Sequence, residues 1–153
     1  MSTTDFDFFQ GEWIVANRRL KDFLDERSGW EEFTAVSRAS RHFDGGANFD
    51  EIAFPTMGFK GLTLRLYDTE REEWSLYWSN DRRGVLDPPV VGGFGADGRG
   101  VFYGDDTYQG KDIRVRFLWS DITETTATWE QAFSVDGEKT WLTNWVMELV
   151  RRA

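Results

Sequence analysis

The chain has few of the residue types on which many catalytic and metal-binding sites are built. It contains no cysteine, one histidine (His42) and three prolines. The missing cysteines exclude disulfides, thiolate nucleophiles and cysteine-ligated metals. No Ser-His-Asp arrangement, phosphate-binding loop or metal-ligand cluster is visible. We therefore expect no metal site and no resident cofactor.

Positive charge and long apolar runs are also scarce. The chain has 18 Lys and Arg against 27 Asp and Glu, a net charge of -9. That balance argues against nucleic acid and against an anionic membrane surface as partners. No stretch approaches the ~20 apolar residues of a membrane span, and the opening MSTTDFDFF lacks the regions of a signal peptide. A cytoplasmic protein is the expectation.

Aromatic residues, by contrast, are abundant. The chain has 8 Trp, 13 Phe and 4 Tyr, together 16% of its residues. Such side chains favour strands and carry large buried areas. Segments of roughly eight to twelve residues alternate with turn signals, which is the pattern of an all-β sandwich or barrel. We predict one domain over residues 1–153, a closed antiparallel up-and-down barrel of nine or ten strands.

The turn signals also predict where the strands lie. Residues 5–10 read as a helical turn whose phenylalanines plug one end of the barrel, and residues 24–29 read as a loop. Nearly all connections are short, so strands adjacent in sequence are expected to pair. The predicted strands cover about 11–23, 30–43, 47–54, 58–68, 73–80, 90–95, 100–110 and 111–121, followed by a final hairpin over 126–150.

Both ends of the chain carry a pattern that resembles a known group. Gly11-Glu12-Trp13 opens the first strand, and Arg151 and Arg152 follow the last. With short-linked barrel strands between them, these residues resemble the calycin group, which includes lipocalins and fatty-acid-binding proteins. In lipocalins the arginine packs across the tryptophan and closes the bottom of the barrel. The resemblance implies that Arg151 or Arg152 covers Trp13.

Several internal stretches are similar to a family of small bacterial lipocalin-like proteins of unknown function. This resemblance implies a fold and no activity, which has to be argued from the site. Nitrobindin-like haem barrels form a neighbouring group, but they have a longer glycine-rich first motif and a late histidine ligand. His42 lies early in the chain, so haem is not expected. The similar stretches are GEW, LTLRLYD, SLYW, PPVVG, FYGDDT, WEQAFS and TNWVME.

The first strand supplies two candidate interior side chains. If Trp13 points inward, Asn17 and Arg19 share its face by the two-residue period of a strand. A buried arginine needs a carboxylate or an anionic ligand, because an unpaired buried charge is very costly. Asn17 and Arg19 would then anchor the polar end of a ligand. Alternatively, a bulge turns Arg19 outward, or Arg19 lies at the solvated rim.

The final hairpin supplies a candidate acid or base. A four-residue turn at 136–139 would set Glu130 opposite Trp145, on the inner face with Met147. A carboxyl group in such apolar surroundings has a raised pKa, as a general acid or base requires. Two alternatives stay open. Glu130 forms a structural pair with an arginine, or a two-residue turn reverses the facing and puts Gln131 and Asn144 inside.

Arg65 interrupts the leucines of LTLRLYD. It shares a face with Thr63 and Tyr67, opposite a face of three leucines at positions 62, 64 and 66. If the leucines face the core, Arg65 is exposed. If they face out, Arg65 lies inside the barrel, where it would stabilise developing negative charge beside Glu130.

Three functions remain from the sequence. The leading one is binding of a small apolar or aromatic molecule inside the barrel. The second is a cofactor-free isomerase, cyclase or lyase that uses Glu130 and Arg65. The third is a structural or partner-binding homodimer with a filled core. The predicted ligand-binding residues are Asn17, Arg19, Tyr67, Trp78, Trp145 and Met147.

Overall fold

The fold is an antiparallel barrel, seen in a computed structural model that describes residues 2–152. Its strand bounds follow the turn signals of the sequence closely, with one exception described below. The strands are β1 Gly11–Asp22, β2 Asp25–His42, β3 Ala47–Phe54, β4 Phe59–Asp68, β5 Glu73–Asn80, β6 Val90–Phe94, β7 Gly100–Tyr108, β8 Lys111–Ser120, β9 Thr126–Ser134 and β10 Leu142–Arg151, with short 3-10 helices at Asp7–Phe9 and Phe43–Gly45.

Each strand pairs antiparallel with its neighbour in sequence, and β1 pairs with β10 to close the barrel. This confirms the predicted all-β, closed up-and-down fold. Because every connection is a hairpin, the loops fall alternately at the two ends. We call the end that holds the helix Asp7–Phe9 the bottom. The opposite end, with loops 81–89 and 135–141, is the mouth.

The first hairpin differs from its prediction. β2 begins at Asp25, so most of the segment expected to be a loop belongs to a strand. The Ser28 hydroxyl explains the difference. It accepts a hydrogen bond from the Asp22 N–H at 2.9 Å and donates to the Asp25 carbonyl at 2.6 Å. These bonds hold the two strands together across a bulge between Leu20 and Asp22.

The bottom of the barrel is plugged by aromatic rings. Phe6 and Phe9 are buried there. Phe6 meets the edge of Trp74 at a centroid distance of 4.9 Å, and Phe9 lies 5.1 Å from the Trp119 ring. The Trp13 indole N–H donates to the Phe9 carbonyl at 3.0 Å, which ties the plug to β1.

One of the two terminal arginines seals this end. The Arg151 guanidinium lies 4.4 Å from the centroid of the Trp13 ring, and the two residues pair across the β1–β10 ladder. Arg151 also donates to the carbonyls of Phe8, Gln10 and Glu124. Arg152 points away and pairs with the Glu12 carboxylate at 3.6 Å. The contact implied by the resemblance is therefore made by Arg151.

Strand β4 reverses the usual arrangement of apolar and polar faces. Thr63 and Arg65 are buried inside the barrel, whereas the three leucines between and beside them are half-buried on the outer face. Of the two alternatives left by the sequence, the inward Arg65 is the one observed.

The loop between β9 and β10 is held by Asp136. Its carboxylate accepts hydrogen bonds from the Ser134 hydroxyl at 2.9 Å and from the N–H and hydroxyl of Thr140. These bonds, those from Thr140 above all, lower the pKa of Asp136 to about 2. The carboxylate therefore favours the folded loop wherever it is ionised.

Replacing Arg151 with Met should lower the free energy of unfolding by about 2 kcal/mol, because a cation-π contact and hydrogen bonds to three carbonyls are lost together. Arg152→Met is the matched control. Arg152 is 54% exposed on its side chain, so its loss should cost less than about 1 kcal/mol. Urea unfolding followed by tryptophan fluorescence measures both. Equal costs would contradict the assignment of the seal to Arg151.

The free energy of unfolding should depend on pH through the ionisation of Asp136. Because the pKa of Asp136 is lowered on folding, its stabilising contribution is complete above the unfolded value of about 4 and is lost as the pH falls toward 2. Thermal unfolding of the protein and of Asp136→Ala between pH 6 and pH 2 should converge at the acid end. A constant difference across that range would refute the carboxylate's role.

Candidate functional site

A cavity of about 250 Å³ occupies the barrel interior between the plug and the mouth. Its walls are mainly aromatic, and its lining at the mouth includes Phe23, Pro88 and Tyr108. The third function considered above required a filled core, and this interior is not filled. The aromatic wall consists of Trp78, Phe117, Trp119, Trp129, Phe133 and Trp145.

A polar cluster built around Arg65 lies toward the plug, and its members Arg65, Asp50 and Ser37 line the cavity. One terminal guanidinium nitrogen, Nη2, donates to Asp50 Oδ1 at 2.6 Å, and Nη1 donates to Asn48 Oδ1 at 3.0 Å. The other oxygen of Asp50 accepts a hydrogen bond from the Ser37 hydroxyl at 2.9 Å. All four residues are buried. We call Arg65, Asp50, Asn48 and Ser37 the floor cluster.

Aromatic faces complete the surroundings of Arg65. Its guanidinium carbon lies 5.0 Å from the centroid of Phe9, 5.2 Å from Phe6 and 5.9 Å from Trp119. A charge removed from water is tolerated when it is paired and hydrogen-bonded, and ring faces add attraction for a cation. The plug and the floor cluster are thus one connected unit, and Arg65 joins them.

The register of the final hairpin decides which β9 side chains reach the cavity. Near the loop, Thr143 pairs with Ala132, as a four-residue turn at 136–139 would require. A bulge at Asn144 then shifts the pairing by one residue, so that Trp145 faces Gln131. Gln131 donates to Asn144 Oδ1 at 3.0 Å, and both are buried.

The inward orientation expected for Glu130 is therefore wrong. Glu130 pairs with Leu118 and Val146 and lies on the outer, partly exposed face of β9. The bulge is the physical reason, because a one-residue shift exchanges the two faces of a strand. The carboxylate that lines the cavity toward the plug is Asp50 of β3, on the opposite side of the barrel.

The two polar residues predicted on β1 do not line the cavity. Asn17 is buried, but it accepts a hydrogen bond from the Trp145 indole N–H at 3.0 Å and thereby holds a wall residue in place. Arg19 lies toward the rim, where it pairs with Glu31 at 2.9 Å. Its guanidinium sits 4.9 Å from both the Phe33 and Trp145 rings.

Of the other predicted ligand contacts, Trp78, Trp145 and Met147 line the cavity, and Tyr67 does not. Tyr67 packs against Trp74 at a centroid distance of 5.3 Å, near the bottom of the barrel. Burial, and then the nearby carboxylates of Glu72, Asp5 and Asp68, raise the pKa of its hydroxyl. Tyr67 lies on the predicted face of β4, but it is too close to the bottom of the barrel to line the cavity.

Sequence reasoning missed the partners of Arg65. Asn48 and Asp50 share the inner face of β3 with Ile52 and Phe54. The two-residue period of a strand, counted back from those two apolar residues, predicts that Asn48 and Asp50 also face the interior. The β3–β4 ladder pairs Asn48 directly with Arg65. A polar residue opposite an arginine in adjacent hairpin strands was the available signal.

Three carboxylates lie at the mouth of the cavity. Asp87, Asp105 and Asp106 contribute to the lining there. Asp87 pairs with Arg83 at 2.7 Å, and Asp105 pairs with Arg114 at 3.2 Å. Two of the three carboxylates are thus paired with arginines, and the net charge of -9 belongs to the chain as a whole rather than to this rim.

His42 lies on the outer surface. Its ring stacks on Phe49 at 5.1 Å and bonds with the Ser40 hydroxyl at 2.9 Å. Within residues 2–152, no group of three or more His, Asp or Glu side chains is arranged to hold a metal ion. Nor does the described part of the chain contain a helix long and apolar enough to span a membrane.

Comparison with known proteins identifies the fold. No protein-family model and no curated protein sequence matches the chain. Among solved structures, it is similar to the S-type phycobiliprotein lyase CPES from Guillardia theta, with a TM-score of 0.63 and 13% identity over 100% of this chain and 94% of that one. The fold is a lipocalin-like barrel. At this identity the likeness extends to the architecture alone.

Removing the charge of Arg65 should show how much free energy of unfolding is lost when the buried Arg65–Asp50 pair is broken. Arg65→Met leaves the Asp50 carboxylate buried without its charged partner, which should destabilise the protein by about 3–5 kcal/mol. Adding Asp50→Asn to that variant should recover part of the loss, because the uncompensated charge is gone. Chemical denaturation of the single and double variants measures the coupling. Simple additivity would contradict it.

Proposed function

We propose that the protein binds a small, largely apolar or aromatic molecule inside the barrel. The observation that carries this proposal is the cavity of about 250 Å³, with aromatic walls and a polar floor. Binding sites are typically mostly apolar with a few placed polar groups that orient the ligand. Sites for drug-sized molecules begin near 300 Å³, so a ligand of one or two rings fits the size better.

The construction of the interior favours a binding role over simple packing. The walls are formed by large rings, yet they leave space between them, although cores normally pack to high density. The rings are also held from outside the cavity. Asn17 fixes the Trp145 indole, and Trp78 lies over Gly61, where any Cβ atom would collide with it. Walls that keep their shape reduce the ordering cost of binding.

A cavity-filling variant tests the proposal. Thr63→Phe places a ring in the cavity, whereas Leu62→Phe places the same ring on the outer face of the same strand. Naphthalene binding, followed by calorimetry, should weaken about tenfold or more in the first variant and change less than about twofold in the second. Equal affinities in both variants, or no binding to the unmodified protein, would refute the proposal.

A second candidate is a cofactor-free enzyme in the same cavity. The observation that favours it is the presence of a carboxylate and a cation, Asp50 and Arg65, in one aromatic-walled space. Arg65 would stabilise negative charge developing on a substrate oxygen. Glu130 has no part in this candidate, because it lies outside the cavity.

The two candidates differ in what happens to a ligand extracted from freshly purified protein. A binder returns the same compound after incubation, and an enzyme returns a product with a different chromatographic retention. Asp50→Asn should abolish such conversion, and Glu130→Gln is the control that should retain it. Conversion that survives in Asp50→Asn would exclude this use of the floor cluster.

The remaining expectations stay predictions. They are membership of the small bacterial lipocalin-like family, a cytoplasmic location, no cofactor or haem, no nucleic-acid or membrane partner, and a possible homodimer. Native mass spectrometry would report a retained ligand and the oligomeric state together. Adding haem should produce no shift of its Soret band.

A further inference from the structure

We infer that the ligand presents a neutral oxygen acceptor, such as a ketone carbonyl, to the bottom of the cavity, where the Arg65 Nε–H and the Trp119 indole N–H receive it. This inference rests on the proposed binding function and specifies the chemical class of the ligand. Both side chains line the same cavity, and the Arg65 guanidinium carbon lies 5.9 Å from the centroid of the Trp119 ring.

The observation is a pair of unused donors. Among the buried side-chain atoms of the described residues, Arg65 Nε and Trp119 Nε1 lack a hydrogen-bond partner. Both residues are 3% exposed. Nearly all buried polar groups in folded proteins are hydrogen-bonded, and each exception calls for an explanation. Two exceptions in one cavity point to one acceptor that both donors share.

The rest of the cluster shows that these donors are not left over by poor packing. The two terminal nitrogens of Arg65 have partners, Asp50 and Asn48, which fix the plane of the guanidinium. Its Nε–H is then the part of the guanidinium that has no hydrogen-bond acceptor among the described residues. The Trp119 ring is fixed as well, since Phe9 packs 5.1 Å from its centroid. Both nitrogens are fully buried, so the acceptor reaches them when a neighbouring side chain of the cavity moves aside.

Charge balance decides what kind of acceptor fits. Arg65 is already neutralised by Asp50 at 2.6 Å. A carboxylate or phosphate would bring a further negative charge into a buried site without a second cation, at a high desolvation cost. A neutral carbonyl oxygen has two lone pairs and adds no charge, so it can accept from both donors.

A ligand group that can only donate is a poorer match. Asp50 already accepts hydrogen bonds on both oxygens, from Arg65 on Oδ1 and from Ser37 on Oδ2. The two floor atoms that lack a partner are donors, and an ammonium group, which has no lone pair, would leave them unsatisfied. The inferred ligand therefore has an apolar ring system against the walls and a carbonyl group toward the plug.

Three probes of one ring skeleton separate the possibilities: 1-indanone, indane and 1-indanecarboxylate. The ketone should bind about tenfold more tightly than indane, because a hydrogen bond to an otherwise unsatisfied buried donor contributes on that order. The carboxylate should bind more weakly than the ketone. Calorimetry at fixed pH and salt measures all three.

Two tryptophan variants then locate the effect. Trp119→Phe removes one donor and keeps an aromatic ring, so the preference for the ketone over indane should fall severalfold while the affinity for indane changes little. Trp129 lies opposite Trp119 in the β8–β9 ladder and lines the same cavity. Trp129→Phe is the control, and it should leave the ratio of the two affinities unchanged. Circular dichroism and thermal unfolding check that both variants fold.

The possible results distinguish a failure of this inference from a failure of the proposed binding function. Equal affinity for ketone and hydrocarbon, or tightest binding of the carboxylate, overturns the inference while the proposed function stands. A ketone preference that persists in Trp119→Phe, or that is lost equally in Trp129→Phe, overturns the role of Trp119. Failure of all three probes to bind overturns the inference and the proposed function together.

Discussion

The buried ion pair between Arg65 and Asp50 is the interaction around which this barrel is arranged. A guanidinium that is 3% exposed must be compensated, and the fold provides a carboxylate at 2.6 Å, an amide oxygen from Asn48 and three ring faces. These groups come from β3, β8 and the N-terminal plug, so one cation on β4 couples elements that are distant in sequence. Such a pair gives little net stability by itself, but breaking it is costly. Its effect is to specify one arrangement of the bottom of the barrel.

The cavity follows from that arrangement. Arg65 and Thr63 face inward, so the leucines of β4 face outward, where they remain half-buried. Aromatic side chains from β5, β8, β9 and β10 then provide the walls, and the plug closes one end beneath them. The seal formed by Arg151 over Trp13 lies outside the cavity and keeps the first and last strands together. Structural closure and candidate function thus use different arginines.

Part of the site could be predicted from the sequence alone. The prediction failed where it depended on the pairing register of β9 and β10. Trp78, Trp145 and Met147 were placed on the cavity wall by the two-residue period of their strands. Glu130 was misplaced because a single-residue bulge at Asn144 exchanges the faces of β9 relative to β10. Periodicity cannot detect such a bulge, since the alternation continues unbroken on either side of it.

The sequence by itself determined the fold class of this protein: short strands with turn signals at regular spacing, aromatic content high enough to line the interior of a barrel, and chain ends suited to pair. Those are local properties, and they follow from backbone conformation and side-chain type. Tertiary structure alone decided which carboxylate meets Arg65, which face of β4 is the interior, and that two buried N–H donors in the cavity lack partners. These depend on contacts between strands, which no single strand encodes.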